Sequence, residues 1–585
     1  MILHALYELY GRLAKESAYQ IAPPGYSPQK ISFKVVLHPD GKLHEIQDAR
    51  VQQGKKLRPD LRLMPGKGKP SGSGINPCFL WDNSGYMLGF KPDDPKPERS
   101  LETFEAFKKK HLELEASVSQ PSFSAVCRFL ELWDPASVEE EILSEVEVGT
   151  GFGMFELLGG GRIHEEKAID KWWQSQMDTE PIEPDGQCLI SGELAQIANL
   201  QPKIKGVMGA QSAGASLVSF NAKSYESYGL EQAYNAPVGK DVAFRYGVAL
   251  NALLNGPKSD SHRIIVGDST TVFWTGESSP IEAAFGNFFS NGSEVQDEDL
   301  RQSLEVFIKA LRHGKEAIVD LANPEDTFYI LGLAPNAARL SVRFYHQSTV
   351  ADFIETLRKH YADMQIVRQF DETSKKPDPE FPATWQLLRE TARESKEIPP
   401  LLSGALMRAV LTGHNYPEFL LASILRRIRA DRKINYLRAS VIKGVLVRNH
   451  HKEISMALDP DNPDIAYRLG RLFATLEKTQ KDGLGEKLNA TIRDRFFSSA
   501  SANPRAVFPR LIRTYQHHLA RIEHAGARVN REKLMQEIFD TIGPPQGFPA
   551  HLNMEQQGMF AIGYYHQTKA FYTKNISETT KETSI

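Results

Sequence analysis

Cysteine is scarce in this 585-residue chain. Cys78, Cys127 and Cys188 stand far apart and form no C-x-x-C pair. That excludes a disulfide framework and a cysteine-built zinc site, and makes a reducing compartment the default. A charge excess of either sign is also missing, with 70 Lys and Arg against 73 Asp and Glu and a net charge of −3. The overall balance therefore gives no sign of a polyanionic partner. Long apolar runs are absent as well. The longest uncharged stretch, 206–222, is filled with Gly, Ser, Gln and Asn and cannot cross a bilayer cheaply. At the N-terminus there is no basic-then-apolar leader. Leu3, Leu6, Tyr7, Tyr10 and Leu13 instead recur at helical spacing. The expectation is a cytoplasmic protein without membrane association.

Catalytic constellations are hard to find. The nearest approach to a phosphate-binding G-x-x-x-x-G-K-[ST] is Gly66-Lys67-Gly68-Lys69, which has no hydroxyl after the lysine to hold magnesium. No H-E-x-x-H occurs, and His450-His451 and His517-His518 lack the i, i+4 spacing that puts two imidazoles on one helix face. Ala210-Gln211-Ser212-Ala213-Gly214 resembles a nucleophile elbow, which requires a β-branched strand before it and a helix after it. Here a poor strand, 205–209, precedes it and a Ser-rich stretch follows, so a serine hydrolase with Ser212 as nucleophile is the alternative reading. Gly149-Thr150-Gly151-Phe152-Gly153 shows no helix start behind it to receive a phosphate. Asp268 stands at a strand end without an obvious second acid, as a turn residue would. The expectation is a protein that is not an enzyme, with no metal site and no cofactor.

What is present is local charge. From Arg50 to Lys69 there are seven Lys and Arg and one acid; from Arg426 to Arg448 there are eight and one; Glu131 to Glu147 carries seven acids and no base. Such basic segments are the footprint of phosphate binding, or else solvated faces. Residues 64–74 join four glycines, two lysines and two serines. Glycine lets backbone N–H groups approach a phosphate closely, lysine supplies charge, and serine donates to phosphates or base edges. Lys67, Lys69, Ser71, Ser73 and Asn76 are therefore candidate DNA-binding residues, a flexible linker being the alternative. Residues 206–227 offer Gln211, Ser212 and Asn221 as donors, with Tyr225 and Tyr228 nearby to stack on bases. A polar loop packed within the protein is the competing reading. Arg426, Arg427, Arg429, Lys433 and Arg438 form a third candidate set.

The patterns predict an α+β fold: an irregular mixed N-terminal region over 1–375, then an all-α helical bundle over 376–585. Strands are expected at 31–37, followed by a turn at Pro39-Asp40-Gly41, and at 85–90, 263–267, 271–274, 327–333 and 340–345. A linker is expected at 371–382, where Lys375-Lys376-Pro377-Asp378-Pro379 breaks every period. Beyond it, Pro417 opens one helix, and Asn462-Pro463-Asp464 supplies the cap for another over Ile465, Leu469, Leu472, Phe473 and Leu476.

Several segments carry a family resemblance. Gly74-Ile75-Asn76-Pro77-Cys78-Phe79-Leu80-Trp81-Asp82-Asn83 with Tyr86-Met87-Leu88-Gly89 resembles the N-terminal hallmark of the large subunit of the type I-C CRISPR Cascade. The run from Asp464 to Phe473, the stretch from Pro504 to His518, and Gly563-Tyr564-Tyr565-His566-Gln567 resemble that family's C-terminal helices, in the expected order. The resemblance implies a non-catalytic subunit of an RNA-guided surveillance complex. Such a subunit reads the protospacer-adjacent motif on duplex DNA, helps open the duplex, stabilises the displaced single strand and docks a separate helicase-nuclease. The implied partners are the guide-RNA-bound backbone subunits and small-subunit helical proteins, which the C-terminal bundle resembles. It also implies that a small subunit can arise by internal translation, for which Met456 is the candidate start. On this reading the loop at 64–76 faces the motif, 206–227 supports strand separation and the basic helices hold the displaced strand. A free-standing nucleic-acid-binding protein is the further alternative.

Overall fold

The computed structural model describes residues 2–53, 56–66, 68–69, 74–91, 94–137, 151–177, 183–220, 222–266, 268–290, 298–314, 322–368, 378–485, 489–542 and 547–572. It is an α+β protein, with strands confined, among the described residues, to the first two thirds and a long run of helices after them. The chain divides into two compact units, one of residues 1–206 and 211–258, the other of 207–210 and 259–585. The boundary expected at 375/376, and most of the linker around it, lies outside the described residues.

The first unit is built on strand β1 (Tyr26–Leu37). Pro39-Asp40-Gly41 turns the chain with Gly41 at φ +88°, and β2 (Leu43–Asp48) returns antiparallel, as the turn chemistry predicts. Strand β3 (Asp60–Pro65) also pairs antiparallel with β1, β5 (Phe152–Leu157) pairs parallel with it, and β4 (Trp81–Asn83) lies antiparallel on β5. Phe33, Val35 and Leu37 share one face of β1 by period two. They pack with Phe104 and Phe107 of α2 (Pro97–Val118), with Phe123 and Phe129 of α3 (Pro121–Leu132), and with Phe155. Gly153 of the glycine-rich stretch is a packing residue: a Cβ there would lie 2.1 Å from the Phe33 ring. The strand expected at 85–90 does not form. Asn83 accepts the Gly85 N–H and caps a short helix, Ser84–Met87, so the strand ends at the cap. Helices α1 (Ile2–Leu13), α4 (Lys167–Met177) and α5 (Lys240–Asn255) complete this unit.

In the second unit, β6 (Arg263–Val266), β7 (Ser269–Thr275), β8 (Thr327–Asn336) and β9 (Arg339–Thr349) pair antiparallel in sequence order. Helices α6 (Ile281–Ser290), α7 (Glu298–His313) and α8 (Val350–Met364) join them. The helical run continues through α9 (Pro400–Thr412), α10 (Glu418–Asp431) and α11 (Tyr436–His450). It then proceeds through α12 (Ile465–Leu484), α13 (Ile492–Ala502), α14 (Pro504–Leu519), α15 (Ala525–Ile542) and α16 (Met554–Ala570). One continuous apolar core runs from Ile264 in the sheet to Tyr565 in the last helix. The cap of α12 is Asp464, whose carboxylate accepts the N–H groups of Ala466 and Tyr467. Every residue from Gly558 to Gln567 of α16 is buried, so that helix is surrounded on all sides. It meets α12 at two glycines: a Cβ on Gly470 would lie 2.1 Å from the Phe560 carbonyl oxygen, and one on Gly563 would lie 2.0 Å from that of Tyr467.

Candidate nucleic-acid interface

The loop between β3 and β4 is fastened at both ends. At its start, Gly66 at φ +97° donates its N–H to the Gly25 carbonyl (2.7 Å), and its own carbonyl accepts the Ser27 hydroxyl (2.7 Å). Trp81 Nε1 donates to the Pro65 carbonyl at 2.7 Å, which ties the loop's exit to its entry. At its far end, Asn76 N–H donates to the Tyr86 hydroxyl (3.1 Å) and Lys110 donates to the Pro77 carbonyl (2.7 Å). Leu80, at φ +61°, donates its N–H to His111 Nε2 (3.0 Å). That bond leaves the proton on Nδ1, which donates to the Phe107 carbonyl at 2.8 Å. Complete burial holds the His111 pKa down to about 3, so the ring is neutral.

Asp82 is the pivot of this neck. Its side chain is fully buried, and it accepts the N–H groups of Cys78 (3.0 Å) and Asn83 (2.8 Å) and the ammonium of Lys69. Lys69 also donates to the Asn76 carbonyl at 2.7 Å and sits 3.3 Å from the centroid of the Tyr86 ring. Burial raises the Asp82 pKa, against the opposing effect of Lys69, and pushes the Cys78 thiol up to about 12. Lys69, expected to face phosphate, is thus folded back across the base of its own loop. Its charge is spent on a buried carboxylate. Lys67, Ser71 and Ser73 lie outside the described residues. Asp82 stands inside the hallmark segment, but nothing in the spacing of a lysine and an aspartate thirteen residues apart announces that they meet.

The second candidate loop has different anchors. Lys205 N–H donates to Asn251, and Asn255 donates to the Lys205 carbonyl, both from α5. Gln211 and Ser212 are exposed in a turn closed by Gly214 N–H on the Gln211 carbonyl at 2.9 Å. This turn lies between two-residue strands, Lys203–Ile204 and Ala215–Ser216, so Ser212 has neither the preceding strand nor the following helix of an elbow. Asn221 lies outside the described residues. Tyr228 is 98% exposed, at a turn where Ser227 and Leu230 bridge.

The third set divides. Arg426, Arg429 and Lys433 are exposed. Arg427 pairs with Asp431 at 2.8 Å. Arg438 is buried, with Nε on Glu390 at 2.7 Å and its remaining nitrogens on Asp431 at 2.5 and 2.7 Å. Its guanidinium braces the turn between α10 and α11 and is not presented to a strand. Asp268 likewise turns out to be a structural acid, bound to Arg343 at 2.7 Å and to the Ser403 hydroxyl at 2.9 Å.

A further basic face was not foreseen. From Arg495 to Ile522 the chain carries five arginines, two histidines and no acid. Arg495, Arg505, Arg510, Arg513 and Arg521 are all exposed. Among the described residues none of the five has a carboxylate within ion-pair distance. Their neighbours differ: Arg471 is paired with Glu537 and Arg531 with Asp482. Arg510, Arg513 and His517 recur at i, i+3 and i+7 along α14, with Arg521 just beyond its end. That spacing puts them on one face. The available signal was the run without acids, rather than a high density of bases.

Among the described residues, no helix is long and apolar enough to cross a membrane, and no three His, Cys, Asp or Glu side chains are grouped to hold a metal ion. The chain belongs to the family described as CRISPR-associated protein (Cas_Csd1), whose model matches residues 6–572. No curated protein matches the chain.

Proposed function

We propose that the chain is the non-catalytic large subunit of a type I-C Cascade. In this reading the loop at 66–80 meets the protospacer-adjacent motif on duplex DNA, with Ser71, Ser73 and Asn76 addressing base edges and Lys67 a phosphate. The role of Lys69 is to hold the loop's neck closed on Asp82. Gln211, Ser212 and Asn221 support the opened duplex. The displaced strand runs along α14, where exposed arginines without acidic partners neutralise successive phosphates. Sequence choice beyond the motif comes from guide pairing, and a separate helicase-nuclease docks on this subunit.

The observation that carries the reading is the family match over 6–572. The arginine face of α14 supports the strand-binding part, because its exposed arginines have no carboxylate within ion-pair distance among the described residues and so keep their charge for phosphates. The deciding experiment is purification with the guide RNA and backbone subunits, followed by gel-shift titration on duplexes with a correct or altered motif. Tight binding only to the correct motif, lost on replacing Ser71, Ser73 and Asn76 together, is expected. Equal binding to both duplexes by the intact complex refutes it.

A further inference from the structure

The second unit has a groove of about 450 Å³ lined by Pro399, Phe419, Ala422, Leu425 and Met554, with Ser423, Arg426 and Arg429 as its polar members. Its margin is unusually apolar for a surface: Phe419 is 42% exposed and Met554 49%. Leu401, two residues beyond the lining Pro399, is 68% exposed. The two lining arginines lack carboxylates. Arg426 has no ion pair among the described residues, and Arg429 hydrogen-bonds only the neutral amide of Gln557. On the same stretch of chain, Arg427 is paired with Asp431, and Arg438 with both Asp431 and Glu390. The available anions are therefore used away from the groove, and the groove keeps two uncompensated cations beside exposed apolar side chains.

We propose that this groove receives an acidic amphipathic helix of a partner protein, with apolar side chains laid against Phe419, Leu425 and Met554 and carboxylates on Arg426 and Arg429. Helix-in-groove recognition uses this combination of an apolar floor and a charged rim. Arginine meets a carboxylate through two parallel N–H···O bonds, which sets orientation as well as attraction. A single-stranded nucleic acid would also bring an anion beside an apolar surface, but the lining disfavours it. A base has hydrogen-bonding edges, and with the two arginines taken up by the phosphates only the buried Ser423 hydroxyl is left to meet them; an unpaired polar edge in an apolar site costs about 1–3 kcal/mol. The arginine face of α14 has the opposite composition. The proposal goes beyond the strand-binding role and does not depend on it.

The test places p-benzoylphenylalanine at position 419 of the full-length chain, purified with its co-expressed partner subunits, and sequences the photo-crosslinked material by mass spectrometry. A second crosslinker at Val529, 48% exposed on α15, is the reference for random collision. The expected product is one protein segment with apolar residues at helical spacing and at least two carboxylates within a turn of them. Its yield should fall at least tenfold in Arg426→Glu/Arg429→Glu and recover when those carboxylates are changed to lysine in the partner. Circular dichroism melts of the double variant should match the wild type, since neither arginine has an internal carboxylate to lose. Four results overturn the proposal: crosslinking to nucleic acid, crosslinking to a segment without carboxylates, a yield indifferent to charge reversal, or a yield no higher than at position 529.

Discussion

Salt dependence gives the sharpest test of the arginine face on α14. A protein that neutralises Z phosphates of a single strand releases counterions, and log K falls with log salt at a slope of about −0.7Z. Counting the five exposed arginines without carboxylates, Arg495 on α13 and the other four on or just beyond α14, as phosphate contacts gives Z = 5 and a slope of about −3.5. Between 50 and 200 mM salt that corresponds to a loss of about 130-fold in affinity. Removing Arg510 and Arg513 as glutamines leaves Z = 3, a slope of about −2.1 and a loss of about 18-fold over the same range. Glutamine removes the charge at nearly the same helix propensity, and the one internal contact given up is that of Arg510 over the Phe496 ring. Fluorescence anisotropy of a labelled oligo-dT against the full-length chain, at four salt concentrations, measures both slopes. A double variant whose slope equals the wild type's refutes the assignment, however its absolute affinity changes. So does a wild-type slope near zero.

The remaining predictions concern other parts of the chain. Asp82→Ala strands the Lys69 ammonium at the loop's neck and should lower unfolding free energy by about 3–5 kcal/mol in urea titrations, whereas changing the exposed Lys433 should cost nothing measurable; equal effects would show that the neck is not held by this pair. Three buried histidines fix an acid limit: burial depresses His111 and His360 to about 3 and His566 to about 4. Each group's folded pKa lies below its unfolded value near 6.5, so its contribution is complete above pH 6.5. It is lost at about 1.4 kcal/mol per pH unit as pH falls toward 4. Melting temperatures recorded from pH 7.5 to 4.5 should therefore decline below 6.5, and less steeply in His111→Asn. Met456, 52% exposed between α11 and α12, is the expected internal start of a short product containing α12 to α16. Intact-mass measurement of the purified complex should detect that product, and Met456→Leu should remove it while sparing the full-length chain; a complex without it sinks the idea.

How far the sequence could be read depended on how local each cause was. Pro39-Asp40-Gly41 dictates its hairpin alone, and the apolar period from Ile465 to Leu476 needs no partner to declare a helix. The strand expected at 85–90 failed because Asn83, two residues earlier, captured a backbone N–H and started a helical turn. Charge was misread wherever an acid arrives from a distance. Lys69 meets Asp82 across a loop, and Arg438 meets Glu390 across 48 residues, so bases that look available in one dimension are already neutralised. The α14 arginines were missed for the reverse reason: they are spread too thinly to look basic, and only the lack of any neighbouring acid sets them apart.

The two-glycine crossing of α12 and α16 has a consequence for synthesis on the ribosome. The backbones at Gly470 and Gly563 touch so closely that neither helix has another surface to offer at that point. Helix α12 therefore completes its packing only when α16 arrives: Phe473 can meet Phe497 and Phe508 earlier, but its contacts with Phe560 and Tyr564 wait for the segment near 563. A nascent chain stopped anywhere between them is an unfinished core, exposed to chaperones and proteases. Closure comes at the same moment whether translation began upstream or near Met456, so a long and a short product of one message would share a single folding checkpoint, set by the arrival of α16.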